Sequence, residues 1–189
     1  MTSGIVPEAV EHIRAGSVVG VPTDTVYGLA VDPWNEDAVD LLYELKGRPA
    51  RKPIGLLAAS IDQVDEIADL GAGRDLARAH WPGALTLVVR PRVVIPDWVG
   101  DKALGTVGVR VPDHDSLREL LSITGPLAVT SANRSGQADL VDDRAARAVF
   151  GDRVGVYLPG TSPGGTASTV VDVSTGKIRV LRQGPIAVE

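Results

Sequence analysis

The sequence predicts a single α/β domain built on a twisted mixed sheet flanked by helices. Three observations predict it. Stretches with helical spacing of apolar residues alternate with short β-branched runs along the chain. The C-terminal part is richer in strand-like runs than in helices, which points to a mixed sheet rather than a purely parallel one. The length, 189 residues, fits one domain spanning 1–189, and 44% hydrophobic residues suffice to fill its core.

The elements follow in order. Val6, Val10 and Ile13 recur at helical spacing, and Gly16 is a stop signal. Ser17 to Val21 reads as a strand cut by Pro22. Asn35 or Asp37 can cap a second helix with Leu41, Leu42 and Leu45 inward, ending at Gly47. Ile54 to Ala59 reads as a strand, and Ser60 caps an acidic helix running through Leu70. A helix over Arg74 to His80 precedes strands at Leu85 to Val89 and Thr106 to Val111. Leu117 to Leu121 reads as helix, Leu127 to Thr130 as strand and Asp142 to Val149 as helix. Short strands at Val154 to Leu158, Thr169 to Val173 and Ile178 to Leu181 complete the pattern. Pro159 to Gly165 (PGTSPGG) is expected to be a mobile loop.

Composition removes several classes of function. The absence of cysteine excludes a disulfide framework, a thiolate metal site and a cysteine nucleophile. His12, His80 and His114 lack metal-ligand spacing. The sequence holds no Walker phosphate loop, no GxGxxG and no GxSxG. No window approaches a membrane span, and the acid-bearing N-terminus does not read as a secretory signal, so a cytoplasmic location without membrane association is expected. A net charge of −5 speaks against a general nucleic-acid binder. Yet Lys46, Arg48, Arg51 and Lys52 lie within seven residues, a local basic patch suited to a small anion.

Five motifs can carry chemistry. Pro22-Thr23-Asp24-Thr25-Val26-Tyr27-Gly28-Leu29 follows a strand, where open α/β sheets bind ligands, although taken alone it reads better as a plain turn held by Asp and Thr side chains. Lys46-Gly47-Arg48-Pro49, with Lys52-Pro53 behind it, offers a guanidinium fork and mobile ammonium groups for phosphate. Its bland counterpart is a solvated basic helix end, which suits Lys46. Thr130 to Gly136 (TSANRSG) presents Ser131 and Asn133 on alternate positions, for a carboxylate, a hydroxyl or a ribose, or merely as a capped turn. Ser168 to Asp172 opens a strand with hydroxyls, and Arg182-Gln183-Gly184 closes the motif set.

Taken in order, PTDTVYGL, KGRP with KP, WPGALT, TVGVRVP, TSANRSG, STVVD and RQG cover nearly the whole chain. This set resembles the YrdC-type domain of the threonylcarbamoyl-AMP synthase family. The resemblance implies a YrdC-like fold with a deep, positively charged cavity. It also implies synthesis of threonylcarbamoyl-AMP and pyrophosphate from L-threonine, bicarbonate and ATP, for the t6A modification at position 37 of tRNA. Thr25, Arg110, Ser131 and Ser168 are thereby assigned to threonine, and Arg48, Lys52, Thr106, Asn133 and Arg182 to ATP. Lys46, Arg48, Ser131 and Asn133 form the implied catalytic cluster. Mg2+ is expected to arrive on ATP rather than on protein side chains. Downstream threonylcarbamoyl-transfer proteins acting on tRNA are the implied partners, with weak RNA binding kept open. The chain resembles the short form of the family. Leu57 stands where many relatives place a histidine, and Ala84 replaces a proline.

Two other readings compete with this one. A non-catalytic RNA-binding module is disfavoured by the net charge and by 4% aromatic content. A carbamoyl-transfer domain, as in hydrogenase maturation factors, belongs to much larger chains with zinc-finger parts, which a cysteine-free sequence does not supply.

Overall fold

The computed structural model describes residues 4–47 and 53–188. Helix α1 (Ile5–Arg14) buries Val6, Ala9, Val10 and Ile13 along one stripe. Helix α2 (Glu36–Lys46) begins at Asn35, whose side chain accepts from the Ala38 amide at 3.1 Å, and ends at Gly47 in the left-handed region, φ 62°. Helix α3 (Ile61–Ile67) is capped by Ser60, and α4 (Arg74–His80) follows a short 3-10 turn. Helix α5 is Asp115–Thr124, and α6 (Asp143–Phe150) is capped by Asp142, which accepts from the Ala145 amide at 2.7 Å.

The strands are β1 (Val19–Val21), β2 (Gly28–Val31), β3 (Gly55–Leu57), β4 (Ala68–Asp69), β5 (Leu85–Pro91), β6 (Val107–Arg110), β7 (Leu127–Ser131), β8 (Val156–Tyr157), β9 (Thr169–Asp172) and β10 (Arg179–Arg182). Their order is β10-β9-β5-β6-β3-β7-β2-β1-β8, with β4 attached to the end of β5. The pairs β1–β8, β3–β6 and β5–β9 are parallel, whereas β1–β2, β2–β7, β3–β7, β5–β6 and β9–β10 are antiparallel. The expected mixed sheet is therefore observed.

Strand alternation divides the molecule into two layers. Leu29, Leu56, Leu87, Val109, Ala128 and Val171 point to one face and pack under residues of α2, α3, α4 and α6. Val19, Val21, Ala30, Leu57 and Leu127 point to the other, where α1 and α5 cover them with Val6, Val10, Leu117 and Leu121. That cover stops short of β5, β6, β9 and β10. The second face is left open there, and the open part becomes a cavity.

Three expectations need correction. The acidic helix does not run through Leu70: it stops at Ile67, and Ala68 and Asp69 turn extended to pair with Pro91 and Arg90. Strand β2 was not expected, because Gly28 to Val31 merges with the preceding polar motif and, buried on both faces, shows no alternation. The PGTSPGG loop is pinned rather than loose. Ser162 Oγ accepts from the Thr23 amide at 2.9 Å, and the Ser162 amide donates to Val141 O at 2.6 Å. The Gly164 amide donates to Thr25 O at 2.7 Å, and the Gly160 amide to Asp143 Oδ1 at 3.2 Å. Among the described residues, no helix is long and apolar enough to cross a membrane.

Candidate functional site

The open half of the sheet forms a cavity of about 510 Å³. Gly55 and Gly108, neighbours on β3 and β6, leave its floor as bare backbone. A Cβ on Gly55 would sit 3.1 Å from Gly108 O, and one on Gly108 would sit 3.3 Å from Thr86 Cγ2. Thr25, Thr106, Arg110, Ser131, Ser168 and Arg182 all reach this cavity. Six residues expected from distant parts of the sequence thus converge on one space.

Arg110 dominates one end. It lies on the last residue of β6, almost fully buried. Its Nε donates to Gly83 O at 3.0 Å, Nη1 to Thr25 Oγ1 at 3.1 Å, and Nη2 to the Asp24 carboxylate. Burial pulls the guanidinium below the ordinary arginine value, and the charge of Asp24 opposes that shift. Three of its five N–H groups are thus committed, which leaves one on each terminal nitrogen. Thr25 is held in turn by Thr23, whose Oγ1 accepts from the Thr25 amide and donates to Val26 O at 2.7 Å.

Arg182 and Ser168 form a second group. Arg182 Nε and Nη2 donate to Ser168 O at 3.1 and 2.9 Å, and Nη2 lies 3.3 Å from Ser168 Oγ. Gly184 makes this contact feasible, since a Cβ there would lie 2.4 Å from the Thr169 amide nitrogen. Near the opposite end, the buried Thr106 is clamped by backbone bonds to Asp101, and Asp101 is the one carboxylate among the described cavity residues.

Lys46 and Asn133 do not line this cavity; they line an adjoining hollow with Arg134 and Arg153. Lys46 is 2% exposed, so the solvated helix end that its position suggested is not what forms. Its Nζ donates to Ser131 O, to Asn133 O at 2.9 Å and to Asn133 Oδ1 at 3.1 Å. Ser131 Oγ donates to the same Oδ1 at 2.6 Å, joining the two spaces. Arg48 and Lys52 lie outside the described residues. The positive charge described in the cavity therefore rests on Arg110 and Arg182, with Arg110 compensated by Asp24.

Leu57 is shared between core and cavity: it is 9% exposed, packs in the apolar layer under α5 and borders the cavity. Sequence reading assigned no site role to three residues that shape the site. Asp24 sits between two recognised threonines, so its charge within the motif was the available signal. Thr86 is a polar position on the open face of β5, whose Leu85, Leu87 and Val89 point to the covered face. Ser162 carried no signal, because its partner Thr23 is 139 residues away.

The sequence matches the Sua5_yciO_yrdC family, described as telomere recombination, over residues 11–184. A Mycobacterium tuberculosis protein is 44% identical, with 98% of this chain and 86% of that protein covered. A Marinobacter nauticus protein named threonylcarbamoyl-AMP synthase is 39% identical, over 88% of this chain and 90% of its own. Among solved structures, P. abyssi Sua5 complexed with L-threonine superposes with a TM-score of 0.87 at 34% identity, covering 97% of this chain. This chain spans 55% of that protein's length.

Proposed function

The chain belongs to the Sua5/YciO/YrdC family, and on that premise we propose that it is a threonylcarbamoyl-AMP synthase, joining L-threonine, bicarbonate and ATP into threonylcarbamoyl-AMP with release of pyrophosphate and water. The observation that carries this reading is the single cavity into which Thr25, Arg110, Ser168, Arg182, Thr106 and Ser131 all project.

The chemistry asks for little beyond placement and charge. Threonine's amine captures bicarbonate as a carbamate, whose oxygen attacks the α-phosphorus while pyrophosphate leaves. Both reactants are anionic, so cations must offset their repulsion, and a fixed site contributes mostly orientation and electrostatic stabilisation. The two uncommitted N–H groups of Arg110 suit bidentate capture of the threonine carboxylate. Thr25 and Ser168 supply hydroxyls beside it. Arg182 keeps Nη1 for phosphate while its other nitrogens are anchored.

Arg48, Lys52, Thr106 and Asn133 complete the ATP side, and Lys46 holds the Ser131–Asn133 turn in register. Mg2+ would enter with ATP, as part of the substrate. The product would pass to cytoplasmic threonylcarbamoyl-transfer proteins acting on tRNA. Incubation with ATP, bicarbonate and labelled threonine, followed by mass analysis, tests the reading. An adenylate carrying both the threonine label and the bicarbonate carbon is expected, and its absence overturns the proposal.

A further inference from the structure

Thr86 occupies the centre of a row that crosses four strands. The β5–β6 register aligns Leu87 with Val109, so its next step sets Thr86 beside Arg110. On the other side Thr86 is paired with Val170 of β9, and Val170 with Arg182 of β10. The row therefore reads Arg110, Thr86, Val170, Arg182. The two arginines are close enough for the charge of Arg182 to lower the proton affinity of Arg110.

The side chain of Thr86 is fixed in this row. Its methyl lies over Gly108, where an added Cβ would approach Cγ2 to 3.3 Å. Its hydroxyl lies 2.8 Å from Ser168 Oγ. Arginine donates but cannot accept, so Ser168 Oγ receives the Arg182 Nη2 hydrogen. One proton is then shared between Thr86 and Ser168. If Ser168 donates it, the Thr86 proton is left for the cavity; if Thr86 donates, the Ser168 proton is left. An anionic oxygen bound beside Arg110 selects one of these arrangements. That choice polarises the chain that ends at Arg182, because hydrogen bonds in series strengthen one another.

We propose that Thr86 is a positioning residue that couples the two substrates, linking threonine at Arg110 to ATP at Arg182 through Ser168. This rests on the proposed function for the identity of the ligands. Each ligand then acts on the hydroxyl arrangement that the other meets. The coupling is reciprocal, as any binding linkage must be.

The test is calorimetric titration of L-threonine into the full chain, with and without saturating α,β-methylene ATP, which cannot react. The threonine Kd of the wild-type protein should differ at least ~5-fold with and without the nucleotide, the lower end of usual coupling factors. Thr86→Val keeps the methyl and the strand preference but removes the hydroxyl. Its affinity for threonine alone should fall with the lost hydroxyl, while the coupling itself falls below ~2-fold. Thr86→Ser should restore it, and thermal melts should show all three proteins folded. Undiminished coupling in a folded Thr86→Val protein overturns the proposal, as does a wild type that binds both ligands without coupling. A wild type that binds neither ligand instead overturns the proposed function.

Discussion

Arg110 and Asp24 form an ion pair at the Thr25 end of the cavity, with only 7% and 15% of their side chains exposed. A guanidinium so buried depends on its counter-ion, because removal of one partner strands the other charge. Asp24→Ala should lower unfolding stability by about 3–5 kcal/mol. Asp24→Asn, which retains an acceptor, should lose less. Urea denaturation measures both. Wild-type stability in Asp24→Ala would show that solvent, not Asp24, compensates Arg110.

Lys46 is buried among oxygen acceptors of the Ser131–Asn133 turn. Lys46→Met fills similar space and leaves those acceptors unpaired. A loss of about 1–3 kcal/mol is expected for a stranded polar group. Weakened binding of both threonine and ATP should accompany it, since the turn carries Ser131 and Asn133 together. A variant of unchanged stability that has lost only ATP binding would make Lys46 a direct phosphate ligand.

His114 gives the protein a pH signature. Burial pulls its imidazole below the ordinary histidine value, against the carboxylates of Asp115, Asp24 and Asp113. Its Nδ1 lies 3.2 Å from Ser116 Oγ. The unfolded chain thus takes up the proton first as pH falls. The stability contributed by neutral His114 is present above the unfolded pKa, about 6.5, and is lost as pH falls through the lower folded value. Urea midpoints between about pH 7.5 and 5 should fall less steeply in His114→Gln than in wild type. Parallel slopes would contradict the assignment.

Leu57 stands where the apolar layer meets the cavity. Leu57→His should therefore disturb both. Threonine affinity should change several-fold, and stability should drop by about 1–3 kcal/mol unless the ring finds a partner. An unchanged threonine Kd alongside a lowered Tm would remove Leu57 from the binding surface.

Much of the fold was legible because the decisive signals are local. Asn35, one of two expected caps, and the expected cap Ser60 start their helices, and Gly47 ends α2 in the left-handed conformation. What escaped depends on distant partners. Strand β2 is defined by β1 and β7 on either side, and its own residues alternate nothing. Lys46 looked like a solvated helix end because the carbonyls that bury it lie 85 residues and more away. The site was legible as a list of motifs. The cross-strand row that sets Thr86 between Arg110 and Arg182 exists only once the sheet is assembled.

The central claim concerns one reaction in one cavity, and pyrophosphate release tests it most directly. The wild-type protein, given MgATP, should release pyrophosphate only when threonine and bicarbonate are both present. Arg110→Ala should reduce the rate at subsaturating threonine far more than at subsaturating ATP. Equal release without threonine, or release that needs carbamoyl phosphate in place of bicarbonate, would contradict the account.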